Sequence, residues 1–216
     1  MLDVRALTFG YPEGKRFCFD LTVEKGEILV LQGPSGIGKS TLLHLVAGLL
    51  PAESGAVCWQ GKDITSLAAD RRPLSILFQD HNLFDHLDSR TNIALGLDPK
   101  LNLSAEDQQR ITDAMQRLGI ASLGHRRPDE ISGGQKQRVA LARALVRSQV
   151  QGRSLLLLDE PFSALDPEIR QESSDLVRML VREHGLTAVV VSHDEKDAET
   201  LATRVFTLSP SSAPLE

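Results

Sequence analysis

The feature that most constrains this chain is the segment G-P-S-G-I-G-K-S at residues 33–40, which lies between an apolar run and a helical pattern. Residues 28–31 are typical of a buried strand, and residues 40–47 have the spacing of a helix that ends at Gly48. Glycines here let backbone N–H groups approach phosphates, and the helix presents its positive end. The segment therefore predicts a nucleotide-binding loop in which Lys39 reaches the β- and γ-phosphates and Ser40 binds Mg²⁺. A tight turn with a surface lysine is the alternative.

A second group of candidate residues follows the apolar run at residues 155–158. The four leucines of this run predict a buried strand, and Asp159 and Glu160 come directly after it. Parallel sheets bind ligands at the carboxyl ends of their strands. We expect Asp159 to support Mg²⁺ and Glu160 to polarise an attacking water. An acidic helix start looks the same, but together with the glycine-rich loop the pair favours nucleotide hydrolysis.

The order of the remaining patterns predicts an α/β fold. Residues 2–9 and 17–23 alternate apolar with polar positions, as half-buried strands do. Apolar runs at 155–158 and 188–191 are each followed by polar residues and a helix, which is typical of a parallel sheet. Helical periodicity dominates residues 81–150. We therefore predict one domain over residues 1–216, with a parallel-sheet core, an N-terminal antiparallel part and a helical subdomain inserted at 81–150.

Composition and charge restrict the class of partner. The 216 residues include 24 basic and 29 acidic side chains, mixed along the chain, for a net charge of −5. This balance offers no basic surface for nucleic acid. No run approaches the ~18 apolar residues that would span a bilayer, and the start is unlike a signal peptide. Cys18 and Cys58 have no metal-binding spacing. We expect a cytoplasmic protein whose membrane role needs a partner.

The segment I-S-G-G-Q at residues 131–135 leads into a further helical pattern. Ser132 is well placed as an N-cap, and the two glycines let the helix start approach a phosphate closely. The segment resembles the L-S-G-G-Q signature of the ATPase subunits of ABC transporters, with Ile131 in place of the leucine. An ordinary capped helix is the alternative, but the position just before the Asp159 strand favours the resemblance.

This resemblance covers nearly the whole chain and implies a RecA-like P-loop NTPase fold with a helical subdomain specific to ABC proteins. It implies that Tyr11 stacks on adenine, although Tyr11 could equally cap an edge of the first strands. It identifies Gln79 as the glutamine loop, residues 163–166 as the D-loop and His193 as a switch histidine. The catalytic residues it implies are Lys39, Glu160 and His193, and the metal ligands are Ser40, Gln79 and Asp159. The implied ATP-binding residues are Tyr11, Gly33, Pro34, Ser35, Gly36, Ile37, Gly38, Lys39, Ser40, Thr41, Gln79, Ser132, Gly133, Gly134, Gln135 and Asp166.

The family resemblance also implies how the chain works. ATP and Mg²⁺ are held between the phosphate loop of one copy and the signature segment of a second, so each chain supplies half of two sites. The implied partners are a second copy, permease subunits and, indirectly, a solute-binding protein, at the cytoplasmic face of a bacterial inner membrane. Leu83, Phe84 and Leu87 could line a groove for a permease helix, or belong to the subdomain core.

A narrower resemblance points to the ATPases of bacterial thiamine importers, and it leaves the cargo open among thiamine, thiamine pyrophosphate and related compounds. It rests on the sequence at residues 71–79, 82–87 and 92–99, none of which would contact the cargo. The chain ends soon after residue 208, where family members usually continue, so we expect a less protected sheet edge there.

Four other functions compete with this interpretation. An importer ATPase for another small solute would show the same motifs. A soluble ABC ATPase acting on ribosomes or DNA would usually carry two cassettes on one chain or a coiled-coil insertion, and the sequence shows neither. A small-molecule kinase or GTPase would leave the signature segment unexplained. A non-hydrolysing module would lack Glu160 or His193, and both are present.

Overall fold

A computed structural model of the chain describes residues 1–78, 82–150, 153–163 and 165–209. Nine strands and six α-helices lie in these residues. In chain order they are β1 (Leu2–Gly10), β2 (Arg16–Val23), β3 (Ile28–Gln32), α1 (Lys39–Ala47), β4 (Ser54–Trp59), β5 (Lys62–Asp63), β6 (Leu74–Leu77), α2 (Ser89–Ala94), α3 (Ala105–Arg117), α4 (Gly133–Ser148), β7 (Leu155–Asp159), α5 (Pro167–His184), β8 (Thr187–Val191), α6 (Glu195–Leu201) and β9 (Arg204–Thr207).

The strands form two sheets. The first is antiparallel, with the order β2-β1-β4-β5, and β1 pairs with both β2 and β4. The second has five strands in the order β6-β7-β8-β3-β9, and all of its pairs are parallel. The predicted α/β fold, with a parallel core and an N-terminal antiparallel part, is confirmed.

The central strands are buried on both faces, which explains their unbroken apolar sequences. In β7, Leu155 and Leu157 face α1 and the antiparallel sheet. Leu156 and Leu158 face the opposite way, toward α4 and α5. Side chains alternate between the faces of a strand, so each central strand contributes to two hydrophobic cores. The parallel sheet is thus the middle layer of the molecule.

The part between β6 and β7 is helical in the structure. It holds α2, α3 and α4, and residues 82–150 contain no strand. Ile93, Ile111 and Val139 from these helices share one hydrophobic cluster with Leu156 and Leu158 of the sheet. The helices therefore pack on the face of the sheet opposite α1.

The two outer strands of the parallel sheet, β6 and β9, are not predicted by the sequence patterns. Both have only four residues. Val205 of the edge strand β9 is 44% exposed, so an apolar pattern is weak there. Of the helices in the described part of the chain, none has the length and apolar character needed to cross a membrane.

Candidate functional site

The glycine-rich loop lies between β3 and α1, as predicted. Gly33, Gly36 and Gly38 have φ angles of 142°, 74° and 106°, a region that favours glycine. A Cβ on Gly33 would lie 2.7 Å from the carbonyl oxygen of Leu208, and one on Gly38 would lie 2.7 Å from the ring of Phe17. The loop is thus pressed against its neighbours at two glycines. No side chain of the described residues caps the first turn of α1, so its amides are suited to an anion.

Lys39, the first residue of α1, points back over the loop. Its Nζ donates to the carbonyl oxygens of Gly33 and Pro34, at 2.7 and 3.0 Å. The side chain is only 9% exposed. Two main-chain carbonyls therefore hold the ammonium inside the curve of the loop.

Ser40 in the first turn of α1 is hydrogen-bonded to Asp159, the last residue of β7. The Ser40 hydroxyl donates to Oδ1 of Asp159 at 3.2 Å. Burial raises the pKa of the Asp159 carboxyl, and the hydrogen bond from Ser40 partly offsets this effect. A hydroxyl and a carboxylate are hard oxygen donors of the kind that Mg²⁺ accepts, usually with phosphate and water completing its shell. The described residues contain no cluster of three or more His, Cys, Asp or Glu side chains that could hold a metal by themselves. The Ser40 hydroxyl and the Asp159 carboxylate therefore fit a Mg²⁺ that arrives with a nucleotide.

Glu160 and His193 come together because β7 and β8 are neighbours. Asp159 pairs with Val191 at the ends of these strands, so the residues that follow leave the sheet side by side. Nδ1 of His193 lies 3.4 Å from Oε1 of Glu160. The His193 side chain is 65% exposed and that of Glu160 is 22% exposed. The pair is therefore open to solvent on the histidine side.

The backbone of Glu160 is unusual. Its φ is 47°, in the left-handed region, which costs a non-glycine residue about 1–2 kcal/mol. Its N–H donates to the Val191 carbonyl at 3.0 Å, and its own carbonyl accepts from Nε2 of Gln137 at 3.1 Å. Hydrogen bonds on both sides hold the strained conformation in place.

A cleft of about 320 Å³ lies over the phosphate loop. It is lined by Tyr11, Lys15, Phe17, Ser35, Gly36, Gly38, Lys39, Ser40, Thr41 and Glu160. The Tyr11 hydroxyl lies 3.2 Å from Oγ1 of Thr41, and the ring makes edge contacts with Phe9 and Phe17. Tyr11 is 38% exposed, so part of the ring at the rim of the cleft is open.

Two residues of this cleft are not predicted from the sequence. The ammonium of Lys15 donates to the carbonyl of Gly36 and lies 5.2 Å from the ring centroid of Phe17. Lys15 belongs to the turn between β1 and β2, and Phe17 to the antiparallel sheet. Their place at the loop depends on how the two sheets pack, which no local pattern shows.

The signature residues do not join this cleft. Ser132 caps α4 in a reciprocal arrangement: its Oγ accepts from the Gln135 amide at 3.3 Å, and its own N–H donates to Oε1 of Gln135 at 2.9 Å. None of residues 131–135 lines the cleft over the loop among the described residues. A Cβ on Gly133 would meet nothing within 4 Å. The start of α4 is thus an open, capped helix terminus.

The predicted residue Asp166 lies at the start of α5. Oδ1 of Asp166 caps α5 by accepting from the Ile169 amide at 3.1 Å. Gln79 and Ala164, predicted in the glutamine loop and the D-loop, lie outside the described residues.

Comparison with known proteins decides the family. The sequence model described as "ABC transporter" matches residues 18–163. This chain belongs to the ABC transporter family. The match spans the phosphate loop, the signature segment and both carboxylates, so the predicted ABC-type ATPase with ATP as its ligand is confirmed.

Several relatives are similar over most of their length. The chain is 50% identical over 187 residues to the thiamine import ATP-binding protein ThiQ of Aliivibrio fischeri, covering 87% of this chain and 78% of that protein. It is 48% identical over 209 residues to ThiQ of Vibrio cholerae, covering 97% and 86%. ThiQ of Escherichia coli K12 is 51% identical over 186 residues, covering 86% and 78%. The predicted resemblance to thiamine-importer ATPases is confirmed by these matches.

Solved structures agree on the fold. A dimeric ATP-binding cassette in a post-hydrolysis state, bound to ADP and Pi, superposes with a TM-score of 0.86 at 30% identity. The match covers 97% of this chain and 94% of that one. A dimeric structure of a bacterial ABC transporter cassette gives the same TM-score, identity and 94% coverage of its chain, with 96% of this chain covered.

Proposed function

We propose that this ABC ATPase powers the import of thiamine, through a dimer in which each ATP lies between the phosphate loop of one copy and the signature segment of the other. The observation that carries the proposal is the division of the site within one chain. The loop, Asp159, Glu160 and His193 converge, whereas the signature terminus stands open elsewhere. A second copy would supply the missing half. The names of the similar proteins support thiamine as cargo.

Within one half-site, the loop residues would bind the nucleotide. Lys39 would exchange its two loop carbonyls for the β- and γ-phosphates, and the backbone N–H groups of residues 35–41 would donate to the phosphate oxygens. Ser40 and Asp159 would hold Mg²⁺, with Gln79 as a further ligand. When bound, Mg²⁺ would supply positive charge to the phosphates. Tyr11 would stack on the adenine from the rim of the cleft.

Hydrolysis would depend on placement. Glu160 would accept a hydrogen bond from the attacking water, and His193, whose Nδ1 is 3.4 Å from the Glu160 carboxylate, would contact the γ-phosphate. Lys39 and the loop amides would stabilise the charge on the transferred phosphoryl group. From the second copy, Ser132, Gly133, Gly134 and Gln135 would close over the phosphates at a helix terminus, and Asp166 would line the dimer interface.

The permease would dock on a cavity of about 290 Å³ beside the helical part. Its lining includes Phe78, Phe84, Leu95 and Arg143. Phe84 is 47% exposed, whereas Leu83 packs against the core. Of the three predicted apolar residues, Phe84 therefore suits a partner helix, and Leu83 suits the alternative of subdomain core. Leu87 is partly buried and does not line this cavity.

We also propose a location and a domain organisation for the chain. The ATPase would work from the cytoplasmic face of the inner membrane, attached through the permease, and a solute-binding protein would deliver the cargo on the other side. We retain residues 1–216 as one domain with a helical subdomain at 81–150.

Uptake of labelled thiamine tests this function. In a bacterial strain that lacks its own thiamine-import ATPase, the chain is co-expressed with the permease and solute-binding protein of its own source. We expect the wild type to restore uptake. Glu160→Gln should not, because an amide cannot accept the proton of the attacking water. Glu172→Gln, an equivalent change on the exposed face of α5, should restore it. Restored uptake of another solute but not of thiamine would contradict the cargo.

A further inference from the structure

The buried amide of Gln137 contacts the backbone of the proposed catalytic residue. Gln137 lies in the second turn of α4 and is 1% exposed. Its Nε2 donates to the Glu160 carbonyl at 3.1 Å. A buried amide donor without a partner is costly, so this hydrogen bond resists breaking. It joins the helix that begins with the signature segment to the end of β7.

The hydrogen bond from Gln137 is made to a residue with a strained backbone, Glu160. Glu160 has a φ of 47°, and its N–H is fixed by the Val191 carbonyl of β8 at 3.0 Å. The side chain of Ser163 also donates to the Glu160 carbonyl, at 3.1 Å, but that contact is exposed. Gln137 is therefore the buried donor that holds this carbonyl from the helical side, opposite to β8.

The direction of the Glu160 side chain depends on this backbone. Its carboxylate lies 3.4 Å from Nδ1 of His193, and its backbone has a left-handed φ. Because φ is a rotation about the bond to Cα, it affects where the side chain points relative to the preceding strand. If φ relaxed to a common value, the carboxylate would leave that position. A displacement of about 1 Å in a catalytic group is enough to lower a rate by about 100-fold.

We propose that Gln137 is a positioning residue for ATP hydrolysis, which holds the Glu160 backbone in its left-handed conformation and ties it to the start of α4. The idea rests on the proposed dimer. There, the start of α4 would contact the ATP bound to the partner's loop, while Glu160 acts on the chain's own ATP. The hydrogen bond then links the occupancy of one site to the geometry of the other.

Gln137→Met tests the proposal, because methionine has a similar length and removes the donor. We expect kcat for ATP to fall at least about tenfold, while KM stays within about twofold, since Gln137 does not line the nucleotide cleft. ATP-dependent dimerisation in a Glu160→Gln background should be unchanged by the substitution. If Gln137→Met does not fold, Gln137→Glu at pH 8 replaces it: this variant keeps the shape and presents an acceptor, and the same loss of kcat is expected.

Ser148→Ala is the matched control. Ser148 is a buried polar residue of the same helix, and its hydroxyl donates to the Leu145 carbonyl within α4. This variant should keep the wild-type kcat. A folded, dimerising Gln137 variant with kcat within twofold of the wild type would overturn the proposal, as would an equal loss in Ser148→Ala.

Failure of the positioning role of Gln137 can be distinguished from failure of the proposed function. If the wild type itself shows no Lys39-dependent turnover that rises with dimer formation, the dimeric mechanism fails. If the wild type shows it and Gln137→Met hydrolyses ATP normally, only the positioning role fails.

Discussion

At the scale of single residues, Glu160 combines a proposed chemical role with a backbone conformation that its residue type disfavours. Its φ of 47° persists because hydrogen bonds to Val191 and Gln137 hold the peptide from two sides. The strain reduces the stability of the chain. Replacing the Glu160 side chain should therefore affect two quantities separately: the free energy of unfolding, which the strained conformation lowers, and the turnover of ATP, which needs the carboxylate.

We predict that Glu160→Gly is more stable to unfolding than Glu160→Ala by about 1 kcal/mol, because only glycine adopts this φ without a steric cost. Both variants should lose turnover. Urea unfolding at equilibrium gives the comparison. At Glu172, in the interior of α5, the order should reverse, with alanine about 1 kcal/mol more stable than glycine. Equal stabilities of the two Glu160 variants would mean that the residue is not strained.

The sequence predicts those site residues whose position follows from their neighbours in the chain. The loop glycines, Lys39 and Ser40 are readable because strand, loop and helix follow one another in the chain. Asp159 is readable because a strand end locates it. Lys15 and Gln137 are not, since each reaches its partner only after distant elements pack: Gly36 is 21 residues away from Lys15, and Glu160 is 23 away from Gln137.

At the scale of elements, the starts of α3 and α4 are specified by side chains that form hydrogen bonds with the backbone. The predicted cap at Ser132 is present with Gln135 as its reciprocal partner. An equivalent capping box begins α3, where Ser104 N–H donates to Asp107 at 3.0 Å and the Ser104 hydroxyl donates to it at 2.7 Å. Such boxes satisfy amides that the helix itself leaves unpaired.

The capping box of α3 should make stability depend on pH. Hydrogen bonds from the Ser104 hydroxyl and amide hold the pKa of Asp107 below its usual value. A depressed carboxyl pKa contributes stability above the unfolded value of about 4, and the contribution is lost as pH falls through the folded value. We predict that Asp107→Ala lowers the free energy of unfolding at pH 7 and that its difference from the wild type shrinks below about pH 4.

Urea unfolding of both proteins between pH 7 and pH 3 measures this difference. Asp113→Ala, in the same helix but beyond its first turn, is the control and should show a smaller loss at pH 7. A deficit of Asp107→Ala that stays constant over the whole pH range would show that the charge of the carboxylate is not involved.

The strands differ in how well the sequence predicts them. Buried strands such as β7 and β8 are visible as apolar runs because both of their faces are covered. The edge strands β6 and β9 are short, and β9 has exposed positions, so they lack such a run. Their place follows from pairing with β7 and β3, a long-range effect. Leu208, directly after the edge strand β9, packs in the core beside the loop.

At the scale of the whole molecule, the carboxyl ends of three strands of the parallel sheet lead to one proposed half-site. The loop follows β3, Asp159 ends β7 with Glu160 directly after it, and His193 follows β8. The signature terminus of α4 is open and lies outside this cleft. In the proposed dimer, a second copy supplies the signature terminus that completes each ATP site.

Gly133 offers a way to disturb the joined site without disturbing the fold. An added Cβ meets nothing within 4 Å in the single chain, and an acidic residue in the first turn of a helix is favourable by about 0.3–1 kcal/mol. Gly133→Asp should therefore fold normally. In the dimer, its carboxylate would face the phosphates of the partner's ATP and repel them. Ala105→Asp makes the same change at the exposed first position of α3.

The most direct test is ATP turnover by the wild type, Gly133→Asp and Ala105→Asp as the chain concentration is raised, with Lys39→Ala as the background. We predict a steeper than linear rise for the wild type and Ala105→Asp wherever dimerisation is limiting, and turnover at the Lys39→Ala level for Gly133→Asp. Wild-type rates from Gly133→Asp, or strictly linear turnover by a proven monomer, would contradict the two-chain site.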